Sequence, residues 1–141
     1  MKNALMWLWQ LPQHLLGLAL IKALGAEKRV FETEDGGIEW HLFKEKSAFS
    51  RFLSGGSFGK YVLLPYEDEE TVKHEHGHSR QSLYLGLLYL PVIGIYSALF
   101  CNLWDRWLHR KWSCEKHRRW YYSRWTEAWA DKLGKVKRNF Q

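Results

Sequence analysis

Cysteine is almost missing from this chain. Cys101 and Cys114 are too few and too far apart for a disulfide framework or a C-x-x-C redox motif. Both read as reduced thiols, which points to the cytosolic side of any membrane. Proline is scarce too, with three residues in 141, and no low-complexity linker or internal repeat divides the sequence. The turn Ser54-Gly55-Gly56-Ser57 lacks the G-x-x-x-x-G-K-[ST] spacing of a phosphate loop. No small-residue cleavage site follows the apolar N-terminal run, so a secretory signal is not expected.

Aromatic and basic side chains are abundant: 9 Trp, 7 Tyr and 7 Phe, with a formal net charge of +6. Trp and Tyr favour the headgroup region of a bilayer, and Lys and Arg favour anionic lipid. Nucleic acid is the second partner class that such a balance suits. Trp104, Trp107, Trp112 and Trp120 interleave with Arg106, His109, Arg110, Lys111, Lys116, His117, Arg118 and Arg119, which favours the membrane interface. At 141 residues the chain makes one domain with a real core, and is too short for two.

Residues 1–25 read as an apolar helix closed by Gly25 and interrupted by Gln10, Pro12, Gln13 and His14. That polar cluster argues for an interfacial or packed helix rather than a span. Residues 28–65 read as a small antiparallel sheet. Its strands are Arg29–Glu34 and Ile38–Phe43, joined by the hairpin signal Asp35-Gly36-Gly37, then Phe49–Leu53 and Phe58–Leu64. Leu83–Trp104 is almost wholly apolar and about one bilayer span long, with Pro91 and Gly94 in its middle. Trp120–Leu133 reads as the last helix, ended by Gly134, and Lys135–Gln141 as a mobile basic tail.

The acidic run Glu67–Glu70 favours a helix start, and that helix carries His74-Glu75-His76-Gly77-His78, the pattern H-E-x-x-H. Four residues apart, His74 and His78 project from one helical face and can share a zinc ion. Glu75 sits where it can take a proton from a zinc-bound water. A hydrolytic zinc site also needs a third ligand and an open position. Thr126-Glu127-Ala128-Trp129-Ala130-Asp131 offers Glu127, with Asp131 one turn later to accept the remaining N–H of a ligating imidazole. Ala130, small and beside this pair, lets the two helices approach closely. His76 points away from the His74/His78 face and reads as a surface or interface histidine; His14 and His41 read as structural. His109, Cys114 and His117 form a weaker cluster with no evident fourth ligand and basic neighbours. For oxyanion stabilisation, Tyr121, Tyr122 and Arg124 lie near Glu127 in sequence, and the sequence does not choose among them.

In these two motifs the chain resembles the gluzincin branch of zinc metallopeptidases, in which H-E-x-x-H on one helix is completed by E-x-x-x-D on a later one. The resemblance implies that His74, His78 and Glu127 ligate Zn2+, that Glu75 is the general base, and that Asp131 supports a ligand, His74. It implies an α+β minimal zincin-like domain: a small antiparallel sheet, the H-E-x-x-H helix, a C-terminal third-ligand helix, and apolar interfacial helices. The family's sheet has an edge strand that binds an extended peptide, and Phe58–Leu64 is the matching segment here. The chain is also similar to small bacterial membrane-associated proteins with an H-E-x-G-H helix, an apolar middle and a T-E-x-x-A-D helix.

The expectation is a single domain over 1–141, with metal-site helices over 67–134 and the apolar insert 83–104 within them. Its expected activity is hydrolysis of a peptide or protein substrate, at the cytoplasmic face of a bacterial membrane or, alternatively, in the cytoplasm. If Glu127 shares a metal with His74 and His78, both flanks of Leu83–Trp104 lie on one side of any bilayer. The stretch then cannot cross once and is too short to cross twice at roughly 20 residues each. It must be a re-entrant or interfacial hairpin, or a core element. Two alternatives stand beside this reading: a zinc-stabilised module without catalysis, and a metal-free basic aromatic module that binds membrane or nucleic acid.

Overall fold

A computed structural model of the chain describes residues 2–33, 36–44 and 55–138. In order, its elements are helices α1 (Lys2–Trp9) and α2 (Leu11–Leu24), strands β1 (Glu27–Thr33), β2 (Gly36–Leu42), β3 (Gly56–Phe58) and β4 (Tyr61–Leu64), and helix α3 (Glu69–Leu85). A bent helical run follows, through Gly86–Leu88, Leu90–Gly94 and Ser97–Trp104, and then α4 (Asp105–Leu108), α5 (Cys114–Ser123) and α6 (Trp125–Gly134). The architecture is α+β, with a small mixed four-stranded sheet.

The strand order is β1-β2-β4-β3. β1 and β2 form the expected antiparallel hairpin, from Glu27↔Leu42 to Thr33↔Gly36; its turn residues 34 and 35 lie outside the described residues, as does the expected strand Phe49–Leu53. β4 pairs antiparallel with β3 but parallel with β2, through His41↔Leu63 and Leu42↔Leu64. The sheet is therefore mixed rather than antiparallel throughout. Val62, Leu63 and Leu64 are all buried, which suits a strand covered on both faces in the middle of a sheet. Phe58–Leu64 is two strands and not one, turning at Gly59, whose φ of +65° favours glycine. The edge strand is consequently Gly56–Phe58. Ile38 and Trp40 of β2 pack with Val62, Leu64 and Val72 of α3 to form the core, following the alternation of the β2 sequence.

The polar residues that interrupt the N-terminal helix are its packing face. Gln10, Gln13 and His14 are buried. Gln13 Nε2 donates to Gly86 O, and Ser82 Oγ donates to Gln10 Oε1 at 3.1 Å. Trp9 Nε1 donates to Leu83 O at 3.0 Å, so the first helix satisfies a carbonyl in the last turn of α3.

α3 starts where its sequence provides for it. Asp68 caps it, accepting from Thr71 N at 2.8 Å, and Glu69 and Glu70 fill the first turn where the helix dipole favours negative charge. It ends at Gly86 (φ +53°), over which the Trp9 indole lies so closely that a Cβ would meet the ring at 2.1 Å. From there the apolar stretch turns away: Glu69–Leu88 and Leu90–Phe100 are bent by 117°. Among the described residues no single helix is long and apolar enough to cross a membrane. At the far end, the expected helix Trp120–Leu133 is broken at Arg124, which is extended (ψ 142°) and stacks its guanidinium over the Trp120 ring at 4.3 Å.

Candidate metal centre

The site forms where α6 crosses α3. Two glycines set the closeness of that crossing: a Cβ on Gly77 would fall 1.9 Å from Ala130 O, and one on Gly134 would fall 2.0 Å from Lys73 O. Gly134 thus serves helix contact, while Lys135 takes the left-handed position that ends α6. Ala130 faces Gly77 and is fully buried, as its size beside the E-x-x-x-D pair suggests.

On α3, His74 and His78 are buried, with ring centroids 4.8 Å apart and planes at 87°. Glu127, from the first turn of α6, is completely buried beneath them. Its Oε2 lies 3.2 Å from Nε2 of His74 and 3.2 Å from Nε2 of His78. Among the described residues this is the group that could hold a metal ion. The separation discriminates between two kinds of contact. Charge-assisted N–H···O bonds are about 2.7–2.9 Å. A tetrahedron with metal–ligand bonds of about 2.0–2.1 Å has edges of about 3.3 Å. The two spacings from Glu127 to the imidazoles are near the second, and the three candidate ligand atoms all lie within 4.8 Å of one another.

The other ring nitrogens are already engaged, which fixes the tautomers. His74 Nδ1 donates to Asp131 Oδ1 at 2.6 Å, and His78 Nδ1 donates to Gln81 Oε1 at 2.7 Å. Each Nε2 faces the Glu127 carboxylate, to which it donates when protonated and beside which it offers a lone pair to a metal when neutral. Glu127 divides its two oxygens: Oε1 accepts from Ser97 Oγ at 2.7 Å and from Thr126 Oγ1 at 3.2 Å, and Oε2 faces the imidazoles.

Charge is distributed accordingly. Burial disfavours a charged His74, but its bonds to Asp131 and Glu127 outweigh that and hold its pKa up at about 9. Burial also works against the Glu127 carboxylate; its bonds to His74 and His78 prevail and keep it far below the usual range. Asp131 is likewise held down, through His74 and Arg138 against burial. Glu75 moves the other way, because burial raises it more than the nearby imidazoles lower it. It lines a cleft of about 490 Å³ together with His78, Tyr89, Tyr121, Ile93 and the Gly55–Phe58 edge. Burial also raises Tyr89 and Tyr121, so both keep their hydroxyl protons.

Every residue that the two motifs nominate is therefore at one place: His74, His78 and Glu127 together, Asp131 behind His74, Glu75 on the cleft wall. Three supports escape a motif reading. Gln81 is fully buried and bridges His78 to Thr126 O (2.7 Å); its position three residues past His78, on the same helical face, is the signal that could have found it. Ser97 reaches Glu127 from the apolar stretch and had no such signal. Arg138 lies in the expected mobile tail, yet its side chain is buried. It grips both Asp131 oxygens (2.7 and 2.9 Å), donates to Glu70, and stacks on Tyr122 at 3.2 Å. Tyr122 packs edge-on against His74 (5.2 Å), so of the aromatic candidates it is Tyr121 that faces the cleft.

The second histidine cluster is rearranged. Asp105, fully buried, lies between His109 Nδ1 and His117 Nε2 (2.8 Å to the latter), while Cys114 is exposed and apart from them. This trio ties α4 to α5. His14 is buried against Gln10 and Tyr61, and His41 packs edge-on to Tyr61 at 5.9 Å, both in structural roles. Comparison with protein-family models, with curated proteins and with solved structures finds no match.

Proposed function

We propose that the chain is a gluzincin-like zinc peptidase, with His74, His78 and Glu127 as the zinc ligands, Glu75 as general base and Asp131 orienting His74. The observation that supports the reading is the convergence of both Nε2 atoms on Glu127 Oε2 at 3.2 Å, with all three buried ligand atoms within 4.8 Å of one another, a donor set that would suit zinc. Zinc bound there polarises the scissile carbonyl and lowers the pKa of water towards about 7. The remaining work falls to side chains. Glu75, its pKa raised by burial towards the working pH, takes the proton of the attacking water. It returns that proton to the amine as the C–N bond breaks. Tyr121 brings an O–H to the cleft wall that would serve the carbonyl oxygen as its charge grows, whereas the Tyr89 hydroxyl donates to Ser57 O at 3.3 Å. β3, an edge of the sheet among the described residues, gives an extended substrate backbone something to align on.

A zinc that only holds α3 to α6 is the second reading, favoured by the complete burial of Glu127. One experiment separates them. Protein purified without added metal is analysed for zinc, and wild type and Glu75→Gln are assayed on a mixed peptide library. The peptidase reading expects zinc near one per chain in both, and turnover lower by on the order of 10²–10⁴ in the variant. Equal turnover, or wild-type protein without zinc, overturns it.

A further inference from the structure

We propose that the outer face of the bent run, with α1 beside it, lies on an anionic lipid bilayer, and that the cleft draws an apolar stretch of peptide from that bilayer. The second half rests on the peptidase reading; the first does not.

The bent run has two sides with different fates. Its inner side, with Tyr89 and Ile93 buried, forms the wall of the cleft that holds Glu75 and His78. Its outer side exposes Leu87, Leu88, Val92, Leu99, Phe100 and Leu103. Trp9 ties α1 to Leu83 and Gly86, so the exposed Leu5 and Leu8 of α1 adjoin the same face. An apolar surface this continuous marks a contact with another phase or molecule. Towards its end, a groove of about 530 Å³ is lined by apolar side chains alone, among them Leu99, Leu103 and Trp107. Trp107 is 70% exposed, and the exposed Arg110 and Lys111 follow within the next turn of sequence. Apolar side chains, then tryptophans, then cations is the order in which a surface meets acyl chains, headgroups and anionic phosphate.

Charge argues against a second copy of the chain as the occupant. In the basic stretch the acids are Asp105, buried between His109 and His117, and Glu115, paired with Arg119. A twin face offers these cations no counter-charge, whereas anionic lipid does. Among the described residues the cleft lining carries no Lys, Arg or Asp, and Phe58, Leu90 and Ile95 line it together with Glu75. Such walls suit apolar substrate side chains, and the same segment that lines them touches the lipid.

The test is flotation of the full chain with vesicles of phosphatidylcholine and phosphatidylglycerol at two to one, with light scattering of the lipid-free protein in parallel. The proposal expects flotation, weakened several-fold by replacing phosphatidylglycerol with phosphatidylcholine. It expects binding to fall by about tenfold or more in Leu99→Ser/Leu103→Ser, whose side chains are exposed and leave the core intact. Circular dichroism checks the fold of that variant. Brominated acyl chains, which quench tryptophan only by contact, give a second readout on wild-type protein. No flotation and no quenching, or a discrete oligomer that the double substitution dissolves, overturns the bilayer. Zinc-loaded protein is then given one apolar peptide, free and lipid-anchored. Faster cleavage of the anchored form is expected. Equal rates overturn the substrate assignment alone, and flotation without cleavage of any peptide overturns the peptidase reading while the bilayer face stands.

Discussion

Gly77→Ala is the most direct test of how the two ligand-bearing helices are held. The added methyl would lie 1.9 Å from Ala130 O, and ordinary contact begins at 3.4 Å, so something must move by 3.4 − 1.9 = 1.5 Å. The obstructing atoms are backbone carbonyl on one helix and Cβ on the other, so no side-chain rotation relieves the clash. α6 must slide or lift, and it carries Glu127. Metal–ligand bonds tolerate only about 0.2 Å, several times less than the forced displacement. Zinc affinity should therefore fall by at least the 10–100-fold typical of a disturbed ligand support. Overpacking should cost a further ~1–3 kcal/mol of stability. Affinity is measured by competition with a chromophoric chelator, and stability by thermal melts with and without zinc. Gly94→Ala is the control, since its methyl would meet only Leu90 Cδ2 at an ordinary 3.5 Å. A Gly77→Ala protein that binds zinc as tightly as wild type would refute the argument that this crossing sets the ligand geometry.

Three further outcomes are expected. Gln81→Leu removes the acceptor for His78 Nδ1–H and the donor to Thr126 O, and should weaken zinc binding about 10–100-fold by the same chelator competition; unchanged affinity removes Gln81 from the site. Arg138→Ala, which removes the Arg138 donors from Asp131 and Glu70 while leaving them their bonds to His74 and Arg118, should lower the melting temperature of the zinc-free protein and weaken zinc severalfold; a silent substitution would restore the view of a mobile tail. The third concerns protons. His74, held at about 9, is protonated at neutral pH in the zinc-free protein, and a ligand must be neutral, so zinc uptake at pH 7 should expel about one proton. Affinity should accordingly rise as pH climbs towards about 9 and fall up to tenfold per unit below it. Calorimetry in buffers of different ionisation enthalpy reads the proton directly, and identical heats would contradict it.

What the sequence disclosed and what it hid divide along the range of the interactions. H-E-x-x-H and E-x-x-x-D each lie within two turns of one helix, where spacing dictates which side chains share a face. Their pairing rests on ligand chemistry together with the resemblance to gluzincins, and the fold does bring Glu127 beneath His74 and His78. The bend in Leu83–Trp104 was anticipated by a constraint between distant residues, namely that both flanks lie on one side. The parallel placement of β4 against β2 was hidden because nothing local distinguishes parallel from antiparallel neighbours in a three- or four-residue strand. Arg138 and Ser97 were hidden for the same reason: each acts on a partner at long sequence separation or around a sharp turn, and a lone Arg or Ser carries no periodicity. Arg124 broke the expected last helix although no Gly or Pro stands there; its cation–π contact with Trp120 competes with helix continuation.

The divided duty of the Glu127 carboxyl has a mechanical consequence. One oxygen is tethered by Ser97 to the apolar elbow, so the orientation of the other is inherited from a segment whose far side looks outward. Pressure on that outer side has only a short linkage to travel before it rotates the oxygen that faces the imidazoles. The elbow and the metal seat are in that sense a single moving part.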